Sequence, residues 1–67
     1  MLPDRRRLVL KALVKEYITT GQPVGSKNLV DRYGITCSPA TVRNELAALE
    51  ENGYVFQPHI SAGRIPT

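Results

Sequence analysis

Four residues, Gly34-Ile35-Thr36-Cys37, separate two capped helical segments, and the second of these runs directly into a β-prone stretch. No other feature of the chain limits its fold as tightly. A turn that short forces the two helices against each other. The later helix has Ser38 as N-cap and Pro39 at its first position, where a missing N–H costs nothing. It is expected to run to Asn52 and to stop at Gly53. The earlier one is expected to start from Ser26 as N-cap and to end near Tyr33, with Leu29, Val30 and Tyr33 on its inner face. Gly34 can then take the left-handed position past its end, and Ile35 can fold back as the hydrophobic contact that accompanies it.

Upstream, Leu10, Leu13, Val14, Tyr17 and Ile18 recur at helical spacing between Pro3 and Thr20, with Arg6, Arg7, Lys11 and Lys15 largely off that stripe. Gly21 suits the stop, and "GQPVG" makes a turn or a short extended stretch around Val24. Downstream, "YVFQ" is β-prone, "PHISAG" is turn-like and "RIPT" can pair back, while Pro58 and Pro66 keep the hairpin short and at an edge. The expected layout is helices over 3–20, 26–33 and 39–52 and a wing over 54–67. This is a mainly α domain with a small β-hairpin, a winged helix-turn-helix spanning 1–67. The hairpin placed after the third helix separates it from a generic helical pair. An ending on "GRIPT" carries no stop signal, so the chain is expected to be a piece of a longer protein.

A chain of 67 residues with 42% hydrophobic content holds one small core. Its single cysteine, Cys37, cannot form an internal disulfide and fits a reducing, cytoplasmic setting. One cysteine with one histidine cannot complete a zinc site. No apolar run reaches membrane-spanning length, and no signal peptide is visible. "GQPVGSK" has the wrong spacing for a phosphate loop, and no strand precedes it. No nucleophile–base set or carboxylate pair suggests catalysis, so neither enzymatic activity nor a cofactor is expected. The net charge of +3 is compatible with a nucleic-acid partner without establishing one. Arg5-Arg6-Arg7 has two readings, a solvated run or a contact to DNA backbone.

On a wheel of about 100° per residue with Val42, Leu46 and Leu49 inward, Ala40, Asn44, Ala47 and Glu51 face outward and Thr41 and Arg43 flank them. The bland reading leaves Arg43 and Asn44 solvated, with Arg43 paired to Glu50 or Glu51. In a helix-turn-helix, however, the start of this helix meets base edges in the major groove. Small Ala40 and Ala47 permit close approach, Asn pairs with adenine, and Arg pairs with guanine or phosphate. The acidic residues lie at the far end. A winged helix acting as a protein adaptor is the rival, but this face offers it no large apolar anchor. An RNA partner would need stacking aromatics, and Tyr17, Tyr33, Tyr54 and Phe56 look committed to core or strand.

Three segments, "EYITTGQPVGSKNL", "SPATVRNELAALEENGYV" and "QPHISAGRIPT", resemble the N-terminal region of the HrcA family, bacterial repressors of heat-shock chaperone operons. The resemblance runs from about Leu8 to Thr67; the opening "LPDRRR" departs from the family's capping Thr followed by acidic residues. It implies sequence-specific binding to double-stranded DNA at an inverted-repeat operator known as CIRCE. It also implies a homodimeric full-length repressor and control by a GroEL-type chaperonin; no membrane partner is expected, since no apolar run is long enough to span one. Residue by residue, it makes Ser38, Thr41, Arg43 and Asn44 the DNA-contacting positions of the third helix. Ser26 and Lys27 become phosphate contacts, and His59, Ser61, Gly63 and Arg64 become wing contacts. The family's dimerisation region has no counterpart in these residues.

Overall fold

A computed structural model of the chain describes residues 2–60 and 62–67. Three helices, α1 (Asp4–Thr20), α2 (Ser26–Tyr33) and α3 (Pro39–Glu51), are followed by two strands, β1 (Val55–Phe56) and β2 (Ile65–Pro66). The strands pair antiparallel, Val55 opposite Pro66 and Phe56 opposite Ile65. Val24, before α2, adds an antiparallel bridge to Arg64. The architecture is a winged helix.

Local chemistry accounts for most of these boundaries. Ser38 Oγ accepts the Thr41 N–H at 3.2 Å, capping α3 ahead of Pro39. Gly34 ends α2 with φ +62°, a conformation that a β-carbon disfavours, and Ile35 turns back into the core. One cap differs from expectation. Gly25, not Ser26, is the N-cap of α2, with extended φ −94° and ψ 158° and no side-chain bond. Ser26 is instead the first helical residue.

The core joins Val9 and Leu13 of α1, Leu29 of α2, Val42, Leu46 and Leu49 of α3, and Val24 and Val55 of the small sheet. Burying each such side chain contributes about 1.5–3 kcal/mol. The inner face of α1 is rotated from the expected stripe. Val9, Ala12, Leu13 and Glu16 are buried, Leu10 and Tyr17 are only partly so, and Ile18 is 77% exposed. The rotation brings Glu16 inward, where Tyr33 Oη donates to its Oε1 at 3.1 Å and Arg32 Nε stands 3.4 Å away. Burial, and then the Glu16 hydrogen bond, hold the Tyr33 hydroxyl above its ordinary pKa.

A second carboxylate ties α1 to α3. Glu45, 6% exposed, accepts from Arg5 Nε on one oxygen and from Arg6 Nε on the other, both at 2.8 Å. Neither reading of the arginine run covers this, because Arg5 and Arg6 are interhelical clamps and only Arg7 lies free of α3. The hydrogen bond from Arg6 holds the Glu45 carboxyl below its ordinary pKa; burial opposes this and Arg5 reinforces it. A depressed folded-state value means that the contribution is complete above the unfolded carboxylate value, about pH 4.3, and is lost as pH falls through the lower folded one. Glu45→Gln should therefore flatten the acid limb of stability against pH, measured by urea unfolding. Replacing both Arg5 and Arg6 with alanine should lower the urea midpoint at neutral pH, since it leaves the Glu45 carboxylate without its cations. An acid limb as steep in Glu45→Gln as in the parent would rule out the clamp as its source.

Candidate nucleic-acid interface

Ala40, Asn44, Ala47 and Glu51 on the outward face of α3 are exposed, as the wheel predicts; of the flanking pair Arg43 is exposed and Thr41 half-buried. Arg43 has no ion-pair partner among the described residues, and Glu50 is taken by Arg64 instead. Ser38 and Thr41 stand at the start of the helix with their hydroxyls 3.1 Å apart, so each already has a partner within the cap. Exposed large apolar side chains occur at Leu8, Ile18, Tyr54, Phe56 and Ile60, none of them on α3. Tyr54 and Phe56 are thus at or in a strand as expected, but not committed to the core.

Beside α3, the wing and the start of α2 enclose a cleft of about 480 Å³ lined by Ser26, Arg43, Gln57, Gly63 and Arg64 among others. Four of the expected contact residues therefore meet in one place. Lys27 is exposed on the first turn of α2. The Leu29 N–H reaches the Gly25 carbonyl at 3.3 Å, and the amides before it lack a side-chain cap. Such free N–H groups favour an anion. His59 is exposed in the wing loop, where its carbonyl accepts the Ala62 N–H at 3.1 Å. Ser61 lies outside the described residues.

The wing is anchored more firmly than its two-residue strands suggest. Val24 and Arg64 exchange both backbone hydrogen bonds at 2.8 Å, and Gln57 Nε2 donates to the Ala62 carbonyl at 2.8 Å. Gly63 is not in the left-handed region. Its role is space: a β-carbon there would lie 2.5 Å from the carbonyl carbon and oxygen of Val24. Arg64 Nε donates to Glu50 Oε1 at 2.9 Å, which holds the wing against α3.

Glu45 and Gln57 were not singled out from the sequence, and Glu50 was named only as a partner for Arg43. Glu45 had a readable signal, because it falls on the same stripe as Val42, Leu46 and Leu49 and a buried carboxylate there demands a cation. Glu50 and Gln57 had none, since their partners depend on where the wing folds.

No family model matches the chain. Among curated proteins, the heat-inducible transcription repressor HrcA of Nocardioides sp. is 60% identical over 67 residues, covering 100% of this chain and 20% of its own length. Over its whole length the chain matches the N-terminal part of HrcA proteins. HrcA proteins of Cutibacterium acnes and Streptomyces avermitilis match at 61% and 60% identity, again over all of this chain and 20% of theirs. A crystal structure of a hypothetical protein superposes with a TM-score of 0.93 at 50% identity, covering 98% of this chain and 21% of that one. The chain thus spans about a fifth of the length of the HrcA relatives it matches. Among the described residues no helix is long and apolar enough to cross a membrane.

Proposed function

We propose that this chain is the DNA-reading module of an HrcA-type transcriptional repressor. The observation that carries the reading is the outward side of α3, with Arg43 in no ion pair among the described residues and Asn44 exposed between two small alanines. That face has the size and chemistry for the major groove, and it lacks the apolar anchor that an adaptor would use. The cleft beside it is suited to the phosphate backbone. The relatives are named heat-inducible transcription repressors, which supports operators at heat-shock chaperone genes, a cytoplasmic place of action and a non-catalytic role. An inverted-repeat site, a homodimeric complete protein and control by a GroEL-type chaperonin belong to the same proposal.

Titrating a duplex that carries the operator half-site against salt tests it. The log–log slope should be on the order of −3 to −5, near −0.9 for each phosphate neutralised. Arg43→Ala and Asn44→Ala should each cost about 1–3 kcal/mol on the specific duplex and much less on random sequence. A flat salt response would remove DNA as the partner. Equal losses on both duplexes would make either residue a backbone contact.

A further inference from the structure

We infer that Glu50 is a positioning residue, aiming the wing's Arg64 at a phosphate group in the cleft between α2, α3 and the wing. The inference rests on the DNA reading above and goes further, assigning a role to an acidic residue on a surface expected to meet a polyanion.

The backbone of Arg64 is fixed by its paired bonds to Val24, so only the side chain remains to be directed. Glu50 directs it through Nε alone, at 2.9 Å. Both η nitrogens of Arg64 are without a hydrogen-bond partner among the described residues, and the residue lines the cleft together with Arg43 and Ser26. A guanidinium is planar and rigid, so holding one edge fixes where the remaining N–H groups point. Those groups match the oxygens of a phosphate. The Arg64 side chain is 18% exposed and that of Glu50 39%, so water screens the carboxylate more than the guanidinium. A phosphodiester is the natural occupant. The cleft supplies cations, the uncapped amides of α2 begin beside it, and the neighbouring face of α3 is suited to bases.

Two physical effects of Glu50 have opposite signs, which makes the idea testable. As a bare negative charge it would repel DNA, and its removal would tighten binding. As a positioning group it is needed, and its removal lets Arg64 swing away. The measurement is the binding of the 67-residue chain to a random-sequence duplex across a salt series, since a phosphate contact needs no particular bases. The variants are Glu50→Ala, Glu50→Gln, Arg64→Ala and the Glu50→Ala/Arg64→Ala double, each checked for folding by its urea midpoint. Glu50→Ala should weaken binding several-fold and reduce the magnitude of the salt slope by roughly 0.9, one phosphate contact. Glu50→Gln keeps an oxygen that accepts the Nε–H, so it should bind at least as well as the parent with the parent's slope. Arg64→Ala should match Glu50→Ala, and the double variant should lose nothing further. Glu50→Ala binding as tightly as the parent, or more tightly, with an unchanged slope overturns the assignment. So does a further loss in the double variant, or a Glu50→Gln as weak as Glu50→Ala. A parent chain that shows no salt-dependent binding fails the DNA reading itself and takes this assignment with it.

Discussion

Gly63→Ala should unseat the wing and destabilise the domain by about 2–4 kcal/mol, combining overpacking with the loss of backbone hydrogen bonds. The added β-carbon would stand 2.5 Å from the Val24 carbonyl carbon and oxygen and 2.8 Å from its nitrogen. All three are main-chain atoms, and Val24 is buried in the core, so no flexible side chain can give way. Relief requires the wing to move off, which breaks the two 2.8 Å bonds between Val24 and Arg64. A domain of this size has about 3–10 kcal/mol of total stability, so the change is a large fraction of it. Gly25→Ala is the control one residue beyond Val24. Gly25 has φ −94° and open space around a β-carbon, so alanine there should lose only the roughly 0.5–1 kcal/mol by which it is a poorer N-cap than glycine. Urea unfolding of the two variants beside the parent decides the matter. A Gly63→Ala midpoint equal to that of Gly25→Ala would mean that the wing is not held by this contact.

What could be read in the sequence follows how local its causes are. The α3 start was legible because a serine followed by proline and a hydroxyl three residues on specify a cap without outside help. The end of α2 was legible for the same reason, since Gly34 and Ile35 act on the turn they belong to. The inner face of α1 was not. Apolar residues at 8–10, 12–14 and 17–18 supply two stripes of nearly equal strength, one residue apart. The stripe that is buried carries Glu16, whose partner Tyr33 lies on another helix. Ser26 was misplaced as a cap because a serine before an apolar run is a cap signal, yet Gly25 can hold the same extended backbone without a side chain.

The candidate site divides along the same line. Asn44, Ala40 and Ala47 were placed outward, and Arg43 on their flank, by helical period alone, which needs no knowledge of the rest of the fold. Gly63 and Arg64 were picked from a motif, but their surroundings come from a contact across the chain. The Val24–Arg64 bridge is one residue on each side, too short to leave any alternation in the sequence. Glycine at 63 serves the approach of Val24, and Arg64 already has a protein partner in Glu50.

Joining two copies of this chain by a flexible linker should raise affinity for an inverted repeat by about 10–10³ over one copy, with no new DNA contact. One copy presents one recognition helix, and on the proposed reading its affinity should lie near the non-specific range of about 10⁻⁴–10⁻⁶ M. A two-fold site places its half-sites about 34–36 Å apart, or a multiple of that. The domain measures 25 × 24 × 20 Å, so two copies fit side by side on one face of the duplex without collision. A Gly/Ser linker of about 40 residues has a root-mean-square span near 34 Å and sets a millimolar effective concentration for the second copy. Deleting one half-site should shrink the gain, because the second copy then meets only random sequence and keeps only its charge attraction. The comparison needs four titrations, single chain and tethered pair on the whole repeat and on the half-site, at one salt concentration. If the tethered pair gains as much on the half-site as on the repeat, its advantage comes from general charge attraction. The chain would then not be reading a two-fold operator one half at a time.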